Sequence, residues 1–238
     1  MKSFVISGLS CQYGRKEVLH HVDVEIPAGA ITSIIGSNGS GKTTLLKAMA
    51  NMICPSSGAC LFDDTDIRKI SRRTLAQKIA FFSQEHPDCG YLTVYELASM
   101  GRYPHGNESA EKSREAVENA MRLAGVEEFA HQRLSELSSG TVQRAWLALA
   151  LAQEPELLLL DEPGNFLDPA KKLMLAATLQ QLKEEKNLTI VMVTHDIDLA
   201  IKSSDHIIAL SDGRVIKKGL PAEFSGRETL EEIYGISL

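Results

Sequence analysis

The hydrophobic pattern predicts strands toward both ends of the chain. Short runs rich in apolar and β-branched residues, separated by Gly and Pro, are typical of strands. In the second half these runs alternate with the helical stretches PAKKLMLAATLQQLKEEK and DIDLAIKSS, and this alternation favours a parallel sheet. The predicted strands are FVISGLSCQY, VDVEI and ITSII before residue 36, IAFFSQ near residue 80, and ELLLLDE, TIVMVTH and HIIALSDG in the second half.

The middle of the chain has a helical pattern instead. Apolar residues recur at three- and four-residue spacing in VYELASMGR, ESAEKSREAVENAMRLAGV and GTVQRAWLALALAQ. We therefore expect a single domain over residues 1–238, with an α/β core lobe and an inserted helical lobe. The core lobe is expected at about 1–87 and 153–238, and the helical lobe at about 88–152.

Composition and charge exclude several classes of function. A chain of 238 residues with 44% hydrophobic residues can bury a full core. Its 25 basic and 31 acidic residues give a net charge of −6, which offers no overall electrostatic footprint for nucleic acid. The four cysteines lack C-x-x-C spacing, which favours reduced thiols over disulfides or a zinc site. The longest apolar run, AWLALALA, is shorter than the roughly 20 residues of a membrane span, so we expect a soluble chain.

The stretch IIGSNGSGKTTLLK, residues 34–47, joins a predicted strand to a predicted helix. It fits the pattern G-x-x-x-x-G-K-[ST], in which backbone N–H groups wrap an anion at the positive end of a helix. Lys42 would place a charge at the β- and γ-phosphates, and the Thr43 hydroxyl would join a Mg²⁺ shell. The predicted nucleotide-binding residues are Gly36, Ser37, Asn38, Gly39, Ser40, Gly41, Lys42, Thr43 and Thr44.

Two acidic residues and a histidine follow buried strands. Asp161 and Glu162 end ELLLLDE, and His195 ends TIVMVTH, so all three should meet at the edge where open α/β sheets bind ligands. Asp161 would hold Mg²⁺, and Glu162 would orient or deprotonate an attacking water. His195 would hydrogen-bond the γ-phosphate or the water, with a purely structural role as the alternative.

The order of these motifs resembles that of the ATP-binding cassette (ABC) ATPases. The stretch ELSSGTVQRAWLALALAQEPELLLLDEPGNFLD is similar to the family's signature-to-D-loop region, whose usual pattern is LSGGQ, a helix, the acidic strand and a terminal LD. The resemblance covers essentially the whole chain. It implies an α/β fold of the P-loop NTPase type, with a mainly parallel core sheet, an N-terminal antiparallel β subdomain and an inserted helical subdomain.

The resemblance also implies roles for single residues. Tyr13 corresponds to the adenine-stacking aromatic, Gln84 to the Q-loop glutamine and Asp168 to the D-loop. The signature is Leu137–Thr141, in which Ser138, Ser139 and Gly140 would contact the γ-phosphate held by a partner subunit. The expected catalytic residues are then Lys42, Gln84, Glu162 and His195, and the expected Mg²⁺ ligands are Thr43, Gln84 and Asp161.

The same resemblance implies partners. ATP binding should produce a head-to-tail homodimer with two ATP molecules between the phosphate loop of one subunit and the signature of the other. Each subunit should contact a transmembrane permease and, indirectly, a substrate-binding protein, and no nucleic acid partner is expected. The chain would then lie in the cytoplasm, peripheral on the inner face of the cell membrane.

One segment favours a particular cargo. LTVYELASMGRYPHG resembles the corresponding segment in ATPases of importers for ferric siderophores, heme and cobalamin, where GRYPH or close variants are frequent. We expect Leu92–Gly106 near the coupling surface, where reversing the charge of Arg102 should uncouple transport without affecting the isolated ATPase. The alternative is a helix ended by Pro104 and Gly106 that carries no information about the substrate.

Three alternative functions stay open. Another importer or an exporter would differ only in its partner, and a soluble ABC ATPase acting on nucleic acid or the ribosome would normally carry two cassettes or coiled-coil insertions. A degenerate cassette would bind ATP and only dimerise. Departures from the family pattern at Ser139, Thr141 and Gly164 keep this last alternative open, but the lysine, the acid and the histidine are intact, so we expect hydrolysis.

Overall fold

The computed structural model describes residues 4–83, 85–165, 167–226, 231, 233 and 234. The chain divides into two compact units. Met1–Ile70 and Leu159–Leu238 form the first unit, and Ser71–Leu158 form the second. The second unit therefore also contains a helix and a strand that precede the helical lobe expected from the sequence.

The elements follow one another in an alternating order. The strands are β1 (Phe4–Tyr13), β2 (Lys16–Ile26), β3 (Ile31–Ile35), β4 (Ser57–Phe62), β5 (Thr65–Asp66), β6 (Ile79–Phe82), β7 (Leu157–Asp161), β8 (Thr189–Val193), β9 (His206–Ser211) and β10 (Arg214–Gly219). The α-helices are α1 (Lys42–Met49), α2 (Arg72–Lys78), α3 (Val94–Met100), α4 (Ala110–Leu123), α5 (Ser139–Ala152), α6 (Pro169–Lys186) and α7 (Ile197–Ser203). Short 3₁₀ turns occupy Ile67–Lys69, Tyr103–His105, Glu127–Phe129, Leu134–Glu136 and Pro221–Phe224.

The first unit contains an antiparallel sheet built mainly from the N-terminal strands. Its order is β2-β1-β4-β5, and Ile6 of β1 lies opposite Val24 on one side and Cys60 on the other. Buried and exposed residues alternate along the second half of β2, which is the period of a strand with one face on the core.

The larger sheet supplies the central strands of the first unit. Strands β10-β9-β3-β8-β7 lie in that order, β3 pairs in parallel with β8 and β9, and β10 runs antiparallel to β9. Every residue of β3, β7 and β8 is buried, as expected for central parallel strands whose two faces are both covered. The predicted α/β class, with a mainly parallel sheet and an N-terminal antiparallel sheet, is confirmed.

Helices α3, α4 and α5 form the core of the second unit. Thr93 and Glu96 make a capping box at the start of α3, and α4 buries a stripe of small and apolar side chains. No helix in the described ranges combines the length and the apolar character that crossing a bilayer requires.

The segment GRYPH forms a packed junction inside the second unit. A Cβ added at Gly101 would lie 2.2 Å from the carbonyl oxygen of Leu149, so only glycine allows this close approach to α5. The carbonyl of Pro104 accepts hydrogen bonds from Arg73 (2.8 Å) and Gln77 (2.9 Å). The motif therefore holds α2 and the region of α5 together.

Arg102 is the charged centre of this junction. Its side chain is only 5% exposed, and its guanidinium donates to Glu108 at 2.7 and 2.5 Å, to Glu154 at 2.9 Å and to the carbonyl of Ala152 at 2.5 Å. The prediction that reversing the charge of Arg102 would leave the isolated ATPase unaffected is therefore wrong, because Arg102 is buried and its guanidinium already binds two carboxylates. Tyr103 is the exposed member of the motif, with 90% of its surface accessible.

Replacing Arg102 should destabilise the second unit. Arg102→Ala leaves Glu108 partly buried without its cation, and breaking a buried ion pair from one side costs about 3–5 kcal/mol. The matched control is Arg114→Ala, because Arg114 is exposed and lies 3.8 Å from Glu118. Urea unfolding should show a change below about 1 kcal/mol for the control. Equal unfolding midpoints for the two variants would contradict the assigned role.

Candidate nucleotide-binding site

The loop between β3 and α1 has a backbone that requires glycine. Gly36 has φ 150°, and an added Cβ would lie 2.0 Å from the carbonyl oxygen of Leu210. The chain thus passes directly against β9 before it turns back toward α1. The buried hydroxyl of Ser40 finds no hydrogen-bond partner among the described residues. A loop whose polar atoms face inward without partners is suited to a polar ligand.

The N-terminus of α1 offers backbone donors to such a ligand. Gly41 is the N-cap residue and supplies no side-chain cap, and the first turn contains no acidic residue. The N–H groups of the first turn therefore lack a side-chain acceptor, and the helix dipole makes this end positive. An anion such as a phosphate would satisfy both requirements.

Lys42 closes the loop with a buried ammonium group. Its Nζ donates to the carbonyl oxygens of Gly36 and Ser37, both at 2.9 Å. Burial lowers the pKa of Lys42, while the charges of Glu162 and Asp161 oppose that shift. Among the described residues the lysine donates to two carbonyl oxygens rather than to an anion, and a phosphate would supply an anionic partner.

Thr43 and Asp161 bring two oxygen atoms together at the start of α1. The Thr43 hydroxyl donates to the Asp161 carboxylate at 3.0 Å, and burial raises the pKa of Asp161 while this hydrogen bond opposes the shift. A hydroxyl next to a carboxylate is an oxygen donor set that fits Mg²⁺, which usually keeps waters and phosphate oxygens as its other ligands. Elsewhere in the described ranges, no group of three or more His, Cys, Asp and Glu side chains could hold a metal by itself.

Glu162 and His195 meet at the same edge of the sheet. Glu162 Oε2 lies 2.9 Å from His195 Nδ1 and 3.4 Å from the His195 backbone nitrogen. The backbone N–H of Glu162 donates to Val193 at 2.9 Å, and its φ of 51° is left-handed. Such a conformation costs a non-glycine residue about 1–3 kcal/mol and is concentrated at functional sites. Two side chains predicted from separate strand ends are thus in direct contact.

His195 is held in place by residues that were not predicted from the sequence. Asp196 caps α7 by accepting from the backbone N–H of Leu199 at 2.9 Å, and it forms an ion pair with Lys172 of α6. The hydroxyl of Tyr234 lies 3.4 Å from the carbonyl oxygen of His195. An aspartate just before an apolar helical stretch is an N-cap signal that the sequence does contain. The partner lysine could be found only from the fold.

Tyr13 ends β1, and its ring is 52% exposed, so a large aromatic face is available in the first unit. Asp168 is the N-cap of α6 and accepts from the backbone N–H of Lys171 at 2.9 Å. Gln84 lies outside the described residues. The roles in adenine stacking, dimer contact and Q-loop function stay predictions for Tyr13, Asp168 and Gln84.

The predicted signature residues belong to the second unit. Ser138 is the N-cap of α5, and its hydroxyl accepts from the backbone N–H of Thr141 at 3.3 Å and lies 2.9 Å from the Thr141 hydroxyl. Thr141 therefore completes the cap at a position where the family pattern has glutamine. Ser139 and Gly140 form the first turn of the helix, where N–H groups are available to an anion. Their role in a partner's site stays a prediction.

A glycine-rich loop at a helix N-terminus, a buried lysine and two acids at the end of β7, which is separated from β3 by β8, define a nucleotide-binding protein of the phosphate-loop class. Comparison with known proteins specifies the family. The family model described as "ABC transporter" matches residues 19–165. The chain belongs to this family.

The similar proteins with known roles are ATP-binding components of transporters. The ferric enterobactin transport ATP-binding protein FepC of Escherichia coli (strain K12) is 38% identical, with 96% of this chain and 85% of that protein covered. The iron(3+)-hydroxamate import ATP-binding protein FhuC of Bacillus subtilis (strain 168) is 37% identical, with 99% and 89% covered. The ABC ATPase assignment is confirmed at the level of the family.

Solved structures agree with the fold. CbiO1 from Clostridium perfringens, part of the ABC transporter complex CbiONQ, has a TM-score of 0.84 and 31% identity, with 96% of this chain and 92% of that chain covered. A bacterial ABC transporter cassette solved as a dimer has a TM-score of 0.81 and 29% identity, with 92% and 98% covered.

Lys42→Ala should abolish tight binding of ATP. The variant loses the buried cation of the loop, and a hydrogen bond to a charged group contributes about 1.5–3 kcal/mol. Isothermal titration calorimetry measures the loss, and Lys202→Ala on α7 is the control, because that lysine is exposed. Equal affinities for Lys42→Ala and the parent protein would mean that the loop does not hold the phosphates.

Proposed function

We propose that this chain is the ATP-hydrolysing subunit of an ABC transporter that energises import of an iron chelate through a membrane permease. The observation that carries the hydrolytic part is the contact at 2.9 Å between Glu162 and His195, next to the loop that holds Lys42. The cargo class is supported by relatives named for ferric enterobactin, petrobactin and iron(3+)-hydroxamate import.

Glu162 is the general base in this proposal. With the proton on Nδ1, His195 donates to the Glu162 carboxylate and holds it in position. The carboxylate then accepts the proton of the attacking water. The left-handed backbone of Glu162 and its hydrogen bond to Val193 limit the directions in which the side chain can point.

The phosphates are held by the loop. The N–H groups of residues 36–44 and the ammonium of Lys42 bind the β- and γ-phosphates, and the exposed ring of Tyr13 stacks on adenine. Thr43 and Asp161 would hold Mg²⁺, with Gln84 as a further ligand by family resemblance. When bound, this ion would neutralise charge on the phosphate oxygens.

The second nucleotide contact comes from another copy of the chain. In the proposed homodimer, Ser138 and the N–H groups of Ser139 and Gly140 contact the γ-phosphate bound by the partner, and Asp168 lies at the subunit interface. The helix start at Ser138 supports this role, because its first turn offers backbone donors. The Thr141 side chain completes the cap, so the departure from the usual signature leaves that helix end intact.

Three exposed side chains of the second unit form the proposed permease contact. Tyr91, Met100 and Tyr103 are 72%, 52% and 90% exposed, and they flank or lie within the segment expected at the coupling surface. Exposed aromatic and Met side chains are enriched in protein interfaces. The chain would accordingly act at the cytoplasmic face of the cell membrane.

Glu162→Gln should keep ATP binding and slow hydrolysis by at least about 10²-fold, the usual scale for removing a positioned general base. Phosphate release by the purified protein measures the rate. Uptake of radiolabelled ferric siderophore should also stop in cells whose only copy is the variant. Glu184→Gln, an exposed change on α6, is the control for both assays.

The two assays separate the two parts of the proposal. Hydrolysis at the parent rate would move the base to another residue, with His195 the next candidate. The variant could instead lose hydrolysis and the uptake of cobalamin or another cargo, while siderophore uptake stays unchanged. That result would overturn the cargo class alone.

Tyr103→Arg should uncouple the ATPase from its permease. Because Tyr103 is 90% exposed, the change should leave the fold intact and the basal hydrolysis rate within about twofold of the parent rate. Stimulation of hydrolysis by the co-expressed permease should be lost. Lys112→Glu is the control, since it changes an exposed charge on α4 of the same unit. Normal stimulation of the Tyr103→Arg variant would place the permease contact elsewhere.

A further inference from the structure

His86 is held between two aromatic rings inside the second unit. Its imidazole packs edge-to-face on Phe82, the last residue of β6, with centroids 5.0 Å apart and planes at 73°. On its other side it stacks on Trp146 of α5, with centroids 4.4 Å apart and planes only 3° from parallel. His86, which follows β6 in the chain, thus packs against the last residue of that strand and against α5, the helix that begins at the signature.

The imidazole serves this contact as a neutral ring. Its Nε2 is buried and has no hydrogen-bond partner within the described part of the chain. Burial alone lowers the pKa of His86 to about 4, and no charged side chain contributes to the shift. The ring is therefore uncharged at neutral pH, and stacked aromatic pairs contribute about 0.5–1.5 kcal/mol beyond their buried area.

A second attachment joins β6 to the region of α5. At the other end of the strand, Lys78 immediately precedes β6, its carbonyl accepts from the backbone N–H of Glu156 at 2.8 Å, and its ammonium lies 3.0 Å from the Glu156 carboxylate. Glu156 follows α5 in the chain. The start of β6 is thus tied beyond the C-terminal end of α5, and the segment after β6 is tied to Trp146 within the helix.

Two attachments fix position along the helix better than one. The contacts between Lys78 and Glu156 lie beyond the C-terminal end of α5. The ring contact adds a second fixed point within the helix, at Trp146, which is closer to Ser138 along the chain than Glu156 is. The short chain between Phe82 and His86 contains Gln84, the residue whose family role links hydrolysis to the membrane partner.

We propose that the His86–Trp146 stack is the joint that fixes the signature helix α5 to the segment carrying Gln84, which makes His86 a positioning residue for ATP hydrolysis. The proposal rests on the proposed function, because the roles of the signature and of Gln84 come from it. In this proposal His86 itself contacts neither the nucleotide nor the attacking water. It acts through the geometry of the two elements that it joins.

The contact can be tested without any enzymatic assay. Trp146 is the only tryptophan of the chain, so its fluorescence reports on this contact alone. His86→Leu removes the ring that covers one face of the indole, and we expect red-shifted emission and stronger quenching by acrylamide. His86→Phe keeps an aromatic ring and should resemble the parent protein. The control His131→Leu changes an exposed histidine of the same unit and should leave both quantities unchanged.

The positioning role needs a kinetic test. His86→Leu should lower kcat by about tenfold or more and leave the KM for ATP within about twofold, because the phosphate loop is untouched and small misplacements near a reaction are costly. His86→Phe should restore most of kcat, since it restores the stack. A merely structural role would instead lower the thermal midpoint of both variants and leave kcat per folded molecule unchanged.

A double-mutant cycle identifies the element through which His86 acts. If the stack works by placing the Gln84 segment, His86→Leu should have little further effect on kcat in a Gln84→Ala background. Additive losses would overturn the proposal, as would a parent-like kcat for folded His86→Leu. Absence of ATP hydrolysis by the parent protein would instead contradict the proposed function, while the fluorescence experiment would still report whether the stack exists.

Discussion

The parallel pairing of β3 with β8 is the constraint on which the candidate site depends. Ile34 lies opposite Val193 in the register, so the two strands end together and their following loops share one edge. Two backbone hydrogen bonds extend this alignment past the strands, from Thr194 N–H to Ile34 at 3.1 Å and from Glu162 N–H to Val193 at 2.9 Å. The phosphate loop, Glu162 and the residues around His195 are therefore placed by backbone pairing before any side chain contributes.

This placement brings several energetically unfavourable features together at one edge of the sheet. The Lys42 ammonium is desolvated, burial raises the pKa of Asp161, the Ser40 hydroxyl lacks a partner among the described residues, and Glu162 has a left-handed backbone. Each of these unfavourable features belongs to a residue that could contact part of a nucleotide. A ligand that brings phosphate oxygens to Lys42 and Ser40 would relieve several of them together, so the folded protein without nucleotide is organised ahead of binding.

Most of the architecture was predictable because its strands are apolar and short. The strands formed within ITSII, ELLLLDE and TIVMVTH have every residue buried, which is why their hydrophobic runs are so clear. The elements that the sequence analysis missed have weaker patterns. Strand β10, RVIKKG, alternates only between exposed and half-buried residues, and the helix α2, RRTLAQK, buries Leu75 alone.

The residues of the site also divide into those that the sequence predicts and those that it does not. Residues within a motif, such as Gly36, Lys42 and Glu162, could be found because their spacing along the chain reflects the chemistry directly. Contacts between distant parts of the chain could not be found, since nothing local to Lys172 indicates Asp196 and nothing local to His86 indicates Trp146. Tertiary packing alone brings these pairs together.

The GRYPH segment explains why resemblance alone misplaced its functional residue. A charged residue in a recurrent motif suggests a surface role, yet a buried cation with two carboxylate partners is held by the fold as firmly as an apolar side chain. In this motif Gly101, Arg102 and Pro104 maintain the junction between α2 and the end of α5, and Tyr103 is left outside it. The recurrence of the first three types follows from packing, whereas an aromatic ring with 90% of its surface exposed gains nothing from the fold. The proposed permease contact gives this ring a role, and in that proposal the motif combines one structural requirement with one surface for recognition.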